Sequence, residues 1–277
     1  MPYYQIVDLF GTQGHGVGNS SGSQSSVPNP FNPSGSGTNP IFGVVSPLLQ
    51  TVDDRNLAEL KKLGTTANIK ATFTNSKNQA LKNYPRLSEE MGYSYKDRES
   101  PEPLQLTDNG DGFQIIIRTG PGIYGNSHVH PDVSNGGVPM FSLSDVFSIG
   151  IMKSHYRDPQ VDNSKFFFSL TARFGEEAHT FVIKINNWYQ FAPKASEYYN
   201  MSQAEITLKD NQLNESYRKQ SNRIGTSPSD YVSTLMAYLN DNGISGLDIY
   251  MSPTSSMSDW TKFVYNPTTR KAIGIEQ

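Results

Sequence analysis

The chain has 277 residues, 35% of them hydrophobic and 11% aromatic, enough for a buried core in one large domain or a domain with an extension. Its 23 basic and 26 acidic residues give a net charge of −3 without a clustered Lys/Arg stripe, which argues against nucleic acid as a partner. The absence of cysteine excludes disulfides, thiolate metal sites and a cysteine nucleophile together, while leaving either redox compartment open.

The N-terminal segment 1–10 is strand-like and lacks the basic start and apolar middle of a signal peptide, so an exported form would carry its leader outside this sequence. No apolar run approaches the roughly 18 residues of a membrane helix. Residues 11–52 read as a flexible linker: Gly, Ser, Pro and Asn dominate, and no charged residue falls between Asp8 and Asp53. Such a tract has too little apolar area to offset its ordering entropy. Its glycines lack a following Gly-Lys-Ser/Thr and helix pattern, so no phosphate cradle is read there.

A structured domain is expected over 53–277. VDDRNLAELKKLG predicts a short helix with an Asp cap and a closing Gly64. NIKATFT and EMGYSYK alternate as strands do, and DGFQIIIRTG and GIYGNSHVH are rich in β-branched and aromatic residues. SLSDVFSIGIMKSHY predicts a helix, then KFFFSLTARF and HTFVIKINNW two strands joined at Gly175-Glu176-Glu177. Two helices are expected over MSQAEITLKDNQLNESYRKQSNR and SPSDYVSTLMAYLNDNG, and the tail returns to strands. The order predicts a mixed α/β (α+β) fold, a sheet flanked by helices.

Within this frame, HVHPDVSNGGVPMFSLSD (128–145) carries the chemistry. On a strand, His128 and His130 project from one face while Val129 points the other way, and Pro131 ends the strand so that His130 stands at its rim. Residues 132–139 read as a loop. Ser142 opens a helix, with Asp145 in its first turn. Ser-x-x-Asp is also a capping device, and His-x-His also occurs as polar surface. Capping explains nothing about the histidines, however, and surface placement explains nothing about the carboxylate. Two neutral nitrogens and one carboxylate suit Zn²⁺ with a fourth position left for water. His155 and His179 read as ordinary polar residues, His15 lies in the linker, and Trp188 and Trp260 read as core or cleft wall.

His128-x-His130-Pro131 followed by Ser142-x-x-Asp145 resembles the signature of the JAB/MPN (JAMM) metalloproteases, and the surrounding sequence is similar to JAB-like domains at the C-termini of Bacteroidetes cell-surface proteins and lipoproteins. The resemblance covers about residues 65–265 and is carried mainly by the motif. One departure is the ten residues between Pro131 and Ser142, more than the family's usual spacing. The resemblance implies a JAB/MPN-like sheet with flanking helices, in a layer architecture like that of cytidine deaminases. It implies a zinc-dependent hydrolase that cleaves a peptide or isopeptide bond through a metal-activated water. It assigns His128, His130 and Asp145 to the metal and Ser142 to the oxyanion. A glutamate before Gly92 becomes the general base, Glu90 by the bacterial pattern or Glu89 by the protease pattern. A peptide or protein substrate and a secreted or surface-tethered location follow by the same analogy. A second reading is a catalytically inactive JAB-like surface module that binds or supports a partner. The sequence carries no pattern bearing on oligomeric state.

Overall fold

The computed structural model describes residues 6–8, 51–82, 91–108, 113–130, 138–221, 227–253 and 257–277. In chain order these form β1 (Ile6–Asp8), α1 (Val52–Thr65), α2 (Ala67–Leu81), β2 (Gly92–Lys96), β3 (Glu102–Pro103), β4 (Leu106–Asp108), β5 (Phe113–Ile115), β6 (Ile117–Thr119) and β7 (Ile123–Val129). There follow α3 (Leu143–His155), β8 (Phe167–Phe174), β9 (Glu177–Ile185), α4 (Trp188–Tyr199), α5 (Gln203–Ser221), α6 (Pro228–Asp241), β10 (Leu247–Pro253), β11 (Thr261–Asn266) and β12 (Lys271–Glu276). A 3-10 turn at Asn163–Lys165 precedes β8.

Among the described residues, eight strands make one sheet in the order β12-β11-β10-β9-β8-β7-β2-β3. Every pairing in it is antiparallel except β7 with β8. A parallel neighbour cannot be reached by a hairpin, so the chain crosses over through α3 and forms a βαβ unit. Separately, β1 lies parallel to β6, and β4 pairs with β5.

Helices cover both faces. On one side α3 to α6 pack onto Phe168, Leu170, Phe181, Ile183 and Ile249. On the other, α1 and α2 bring Leu60, Leu63 and Phe73 against Tyr95, Phe167, Val182 and Tyr250. The strand residues divide between the two clusters by the two-residue alternation of a pleated strand, giving three layers with the sheet in the middle. No helix among the described residues is long and apolar enough to cross a membrane.

Local expectations are corrected in three places. First, α1 is capped by Thr51 and not by an aspartate: the Thr51 Oγ1 accepts the Asp54 N–H at 3.1 Å, and the Asp54 carboxylate accepts the Thr51 N–H at 3.0 Å. Nor does Gly64 stop this helix. It lies inside the last turn, where an added Cβ would come within 2.3 Å of the Met257 carbonyl oxygen, so close backbone approach is what requires glycine.

Second, NIKATFT is helical. Its apparent alternation spans only seven residues, whereas Thr72, Phe73, Ser76 and Ala80 are buried at helical spacing across the whole of α2. Third, β9 stops at Ile185. Asn187 then caps α4 by accepting the Gln190 N–H at 3.3 Å, so Trp188 begins a helix and does not end a strand. The turn between β8 and β9 is Gly175-Glu176, with Gly175 at φ 62° and Glu177 already in the strand.

Candidate metal centre

The histidine pair stands where β7 leaves the parallel part of the sheet. β7 runs between β2 and β8, with His128 in register opposite Gly92 on one side and Leu170 on the other. Gly92 allows this approach, because a Cβ there would lie 2.4 Å from the Ser127 carbonyl oxygen. The strand ends at Val129, and the His130 N–H still donates to the Thr171 carbonyl at 3.1 Å. His128 and His130 face α3, and Val129 packs on the other side with Ala80 and Ala178. The expected alternation therefore holds.

Across from the pair, Ser142 caps α3. Its Oγ accepts the Asp145 N–H at 3.1 Å while Asp145 Oδ2 accepts the Ser142 N–H at 2.7 Å. Capping and convergence are not alternatives here, since the same carboxylate turns toward both imidazoles. Asp145 Oδ1 lies 3.5 Å from His128 Nε2, Oδ2 lies 3.7 Å from His130 Nε2, and the two Nε2 atoms are 2.9 Å apart. His128 and Asp145 are fully buried, and His130 is 6% exposed.

One ligand atom from each of the three residues lies within 4.8 Å of the other two, close enough for a single ion to stand among them. The protonation pattern agrees with that use. His130 Nδ1 lies 2.7 Å from the Val138 carbonyl, which fixes Nδ1 as the donor and leaves Nε2 with its lone pair. The Ser169 backbone beside His128 also favours a proton on that ring, against its burial.

Burial pushes the His130 pKa down to about 4 against the opposing hydrogen bonds to Val138 and Met140. Burial, then the neighbouring His130 ring, push that of His128 well below the usual range. Both rings are therefore neutral at pH 7. Two imidazole lone pairs and a carboxylate converge in an apolar pocket floored by Phe168, whose ring centroid is 5.3 Å from that of His128. Three Lewis bases brought this close repel one another unless a cation stands between them. His128, His130 and Asp145 could thus hold a metal ion.

The position of Asp145 depends on residues that carry no sequence signal for this role. From α5, Asp210 accepts the Leu143 N–H at 2.9 Å and the Ser144 hydroxyl at 3.1 Å, tying down the first turn of α3. Burial pushes the Asp210 carboxyl up in pKa despite these bonds. Tyr217 donates to the Phe141 carbonyl at 3.0 Å, holding the segment just ahead of Ser142. These contacts bridge more than sixty residues of sequence, and Asp210 reads in isolation as an ordinary polar residue of an amphipathic helix.

Glu89 and Glu90, the candidate bases, lie outside the described residues, as do Pro131, most of the expected 132–139 loop, and His15. His155 sits 3.2 Å from Thr119 Oγ1, and His179 lies 3.5 Å from Glu177. Neither joins the group. Trp260 is buried in the α1/α2 layer and Trp188 packs against the α3–α6 layer. No family model, no curated protein and no solved structure matches this chain.

Proposed function

We propose that this chain is a zinc-dependent hydrolase of JAB/MPN-like fold that cleaves a peptide or isopeptide bond. The observation that carries the reading is the buried convergence of His128, His130 and Asp145 around one point. A donor set of two imidazole nitrogens and one carboxylate favours Zn²⁺ over the hard, oxygen-seeking Mg²⁺ and Ca²⁺. The βαβ unit supports it too, because the crevice at the carboxyl ends of parallel strands is where open α/β sheets bind ligands. The secreted or surface location and the peptide substrate rest on the resemblance carried by the motif.

The three residues would hold the ion, and when bound it supplies a Lewis acid and a water acidified to about pKa 7. Glu90, with Glu89 as the alternative, would take a proton from that water and deliver it to the leaving amine. Supporting this assignment, Met91 accepts the Val129 N–H at 2.9 Å, so the chain one residue after Glu90 runs directly beside the histidine pair. Ser142 spends an Oγ lone pair on the cap and keeps its proton, which is available to a developing oxyanion. Asp210 and Tyr217 act through Asp145 and Ser142 as positioning residues.

The test is metal analysis of protein purified without a histidine tag, followed by a peptide library challenged with wild type, Glu90→Gln, Glu89→Gln and Asp145→Asn. We expect about one zinc per chain in wild type and in both glutamine variants, and loss of the metal in Asp145→Asn. Cleavage should fall by about 10²–10⁴-fold in Glu90→Gln. Unchanged cleavage in both glutamine variants would remove the glutamate step. A zinc-loaded wild type that cleaves no peptide would leave the inactive binding module as the reading.

A further inference from the structure

On the face of the sheet opposite the histidine pair, α1 and the start of α2 leave a cavity of about 290 Å³ above β7, β8 and β9. This is close to the lower end of the size range of small-molecule sites. Its apolar walls include Leu63, Ile69, Tyr124 and Phe167, and its polar lining is mostly charged. Both acids of the lining are already matched. Glu59 pairs with Lys62 at 2.5 Å, and Asp97 pairs with Lys165 at 2.5 Å. Among the described residues, Lys184 and Arg98 of the lining have no such pair.

Lys184 is the unusual one. It occupies a central strand at 1% exposure, on the same face as the buried Val182, where a lysine is rare unless it is paired. Its ammonium offers three donors, yet among the described residues its only hydrogen bond goes to the Ser164 carbonyl. Packing does not need this residue, since a methionine would fill the same volume without a buried charge. Arg98 stands on the turn after β2 with φ 60°, a left-handed backbone that costs a non-glycine residue energy, and it makes no ion pair among the described residues.

We propose that this cavity binds a small organic oxyanion with a flat apolar body, a carboxylate or a phosphate monoester, its charge met by Lys184 and Arg98 and its body by Tyr124 and Phe167. The site is independent of the metal centre, being on the other side of the sheet. Burial lowers the Lys184 pKa to about 7, against the pull of Glu59 and Asp162 and with a small push from Lys62. The other charges around it are engaged: Asp97 with Lys165, and the cross-strand Asp248 with Lys262 at 3.1 Å. The free amine is thus charged below pH 7 and largely neutral at pH 8. An anion that needs the ammonium binds more tightly at the lower pH and takes up a proton at the higher one.

Isothermal titration calorimetry of the full chain with benzoate and with phenyl phosphate tests this, in wild type, Lys184→Met and Arg98→Gln. Benzoate has no ionisation of its own between pH 6 and 8, so it reads the Lys184 proton alone. The expected result is one-to-one binding of at least one probe at pH 6, weakened about tenfold in each variant. The carboxylate or the phosphate ester is identified by whichever probe binds more tightly. If benzoate binds, its affinity should fall about tenfold from pH 6 to pH 8. Arg98 is exposed, so Arg98→Gln keeps the test valid should Lys184→Met fold poorly. Failure of both probes to bind wild type at millimolar concentration, or equal binding by wild type and the folded variants, would overturn the proposal.

Discussion

His130 donates from Nδ1 to the Val138 carbonyl at 2.7 Å, while its Nε2 faces His128 Nε2 at 2.9 Å and Asp145 Oδ2 at 3.7 Å. Together with its burial this has a thermodynamic consequence that needs no metal. In the folded chain the pKa of His130 is depressed to about 4 and that of His128 is also depressed, whereas in the unfolded chain both return to about 6.5. Between these values the unfolded state binds more protons, so the stability that the neutral pair contributes is fully present above about pH 6.5. It is lost as pH falls toward 4. Urea unfolding of the chelator-treated protein at pH 7.0, 5.5 and 4.5 should show stability declining with a slope approaching about 1.4 kcal/mol per pH unit for each histidine. A flat profile across that window would mean that the rings are charged or solvated in the folded state.

At the scale of elements, the first turn of α3 carries the capping box, the Asp145 carboxylate and the two groups that Asp210 secures. Replacing Asp210 by Ala removes an acceptor from the Leu143 N–H and the Ser144 hydroxyl, which should cost about 1–2 kcal/mol of stability. The more telling effect is on the metal. With the turn loosened, zinc affinity in a competition titration against a chromophoric chelator should weaken by about tenfold, although Asp210 never touches the ion. Unchanged affinity with reduced stability would assign Asp210 to folding alone.

The motif residues of this site were readable because a two-residue strand period and a helix cap are local rules, and each places its side chain without reference to distant chain. For the same reason α3, α5, α6 and β7 to β10 were legible, their patterns being long and bounded by caps and turns. α2 was not, because seven alternating residues fit either period. α4 was hidden by Pro193 inside it and by a strand pattern that runs on through Asn186 and Asn187. Asp210 and the cavity around Lys184 exist only through contacts between distant elements, which spacing along the chain cannot express. Lys184 still left a trace, a lone cation in the apolar run FVIKI of a central strand.

For the whole molecule, the decisive feature is the single parallel pairing in an otherwise antiparallel sheet. The crossover it requires sends the chain from the end of β7 into α3, so the strand delivers two imidazoles and the helix returns a carboxylate to the same corner. The two helical layers then isolate two different chemistries: a pocket of imidazoles and a carboxylate under α3 to α6 and a cationic cavity under α1 and α2. The central claim is that His128, His130 and Asp145 form one zinc site. X-ray absorption at the zinc edge, on protein loaded with one equivalent of zinc, tests it most directly. We expect a four-coordinate shell with two imidazole nitrogens and one carboxylate oxygen at about 2.0–2.2 Å, reduced to fewer protein ligands in Asp145→Asn. A shell with one imidazole or none, or a spectrum that Asp145→Asn leaves unchanged, would contradict it.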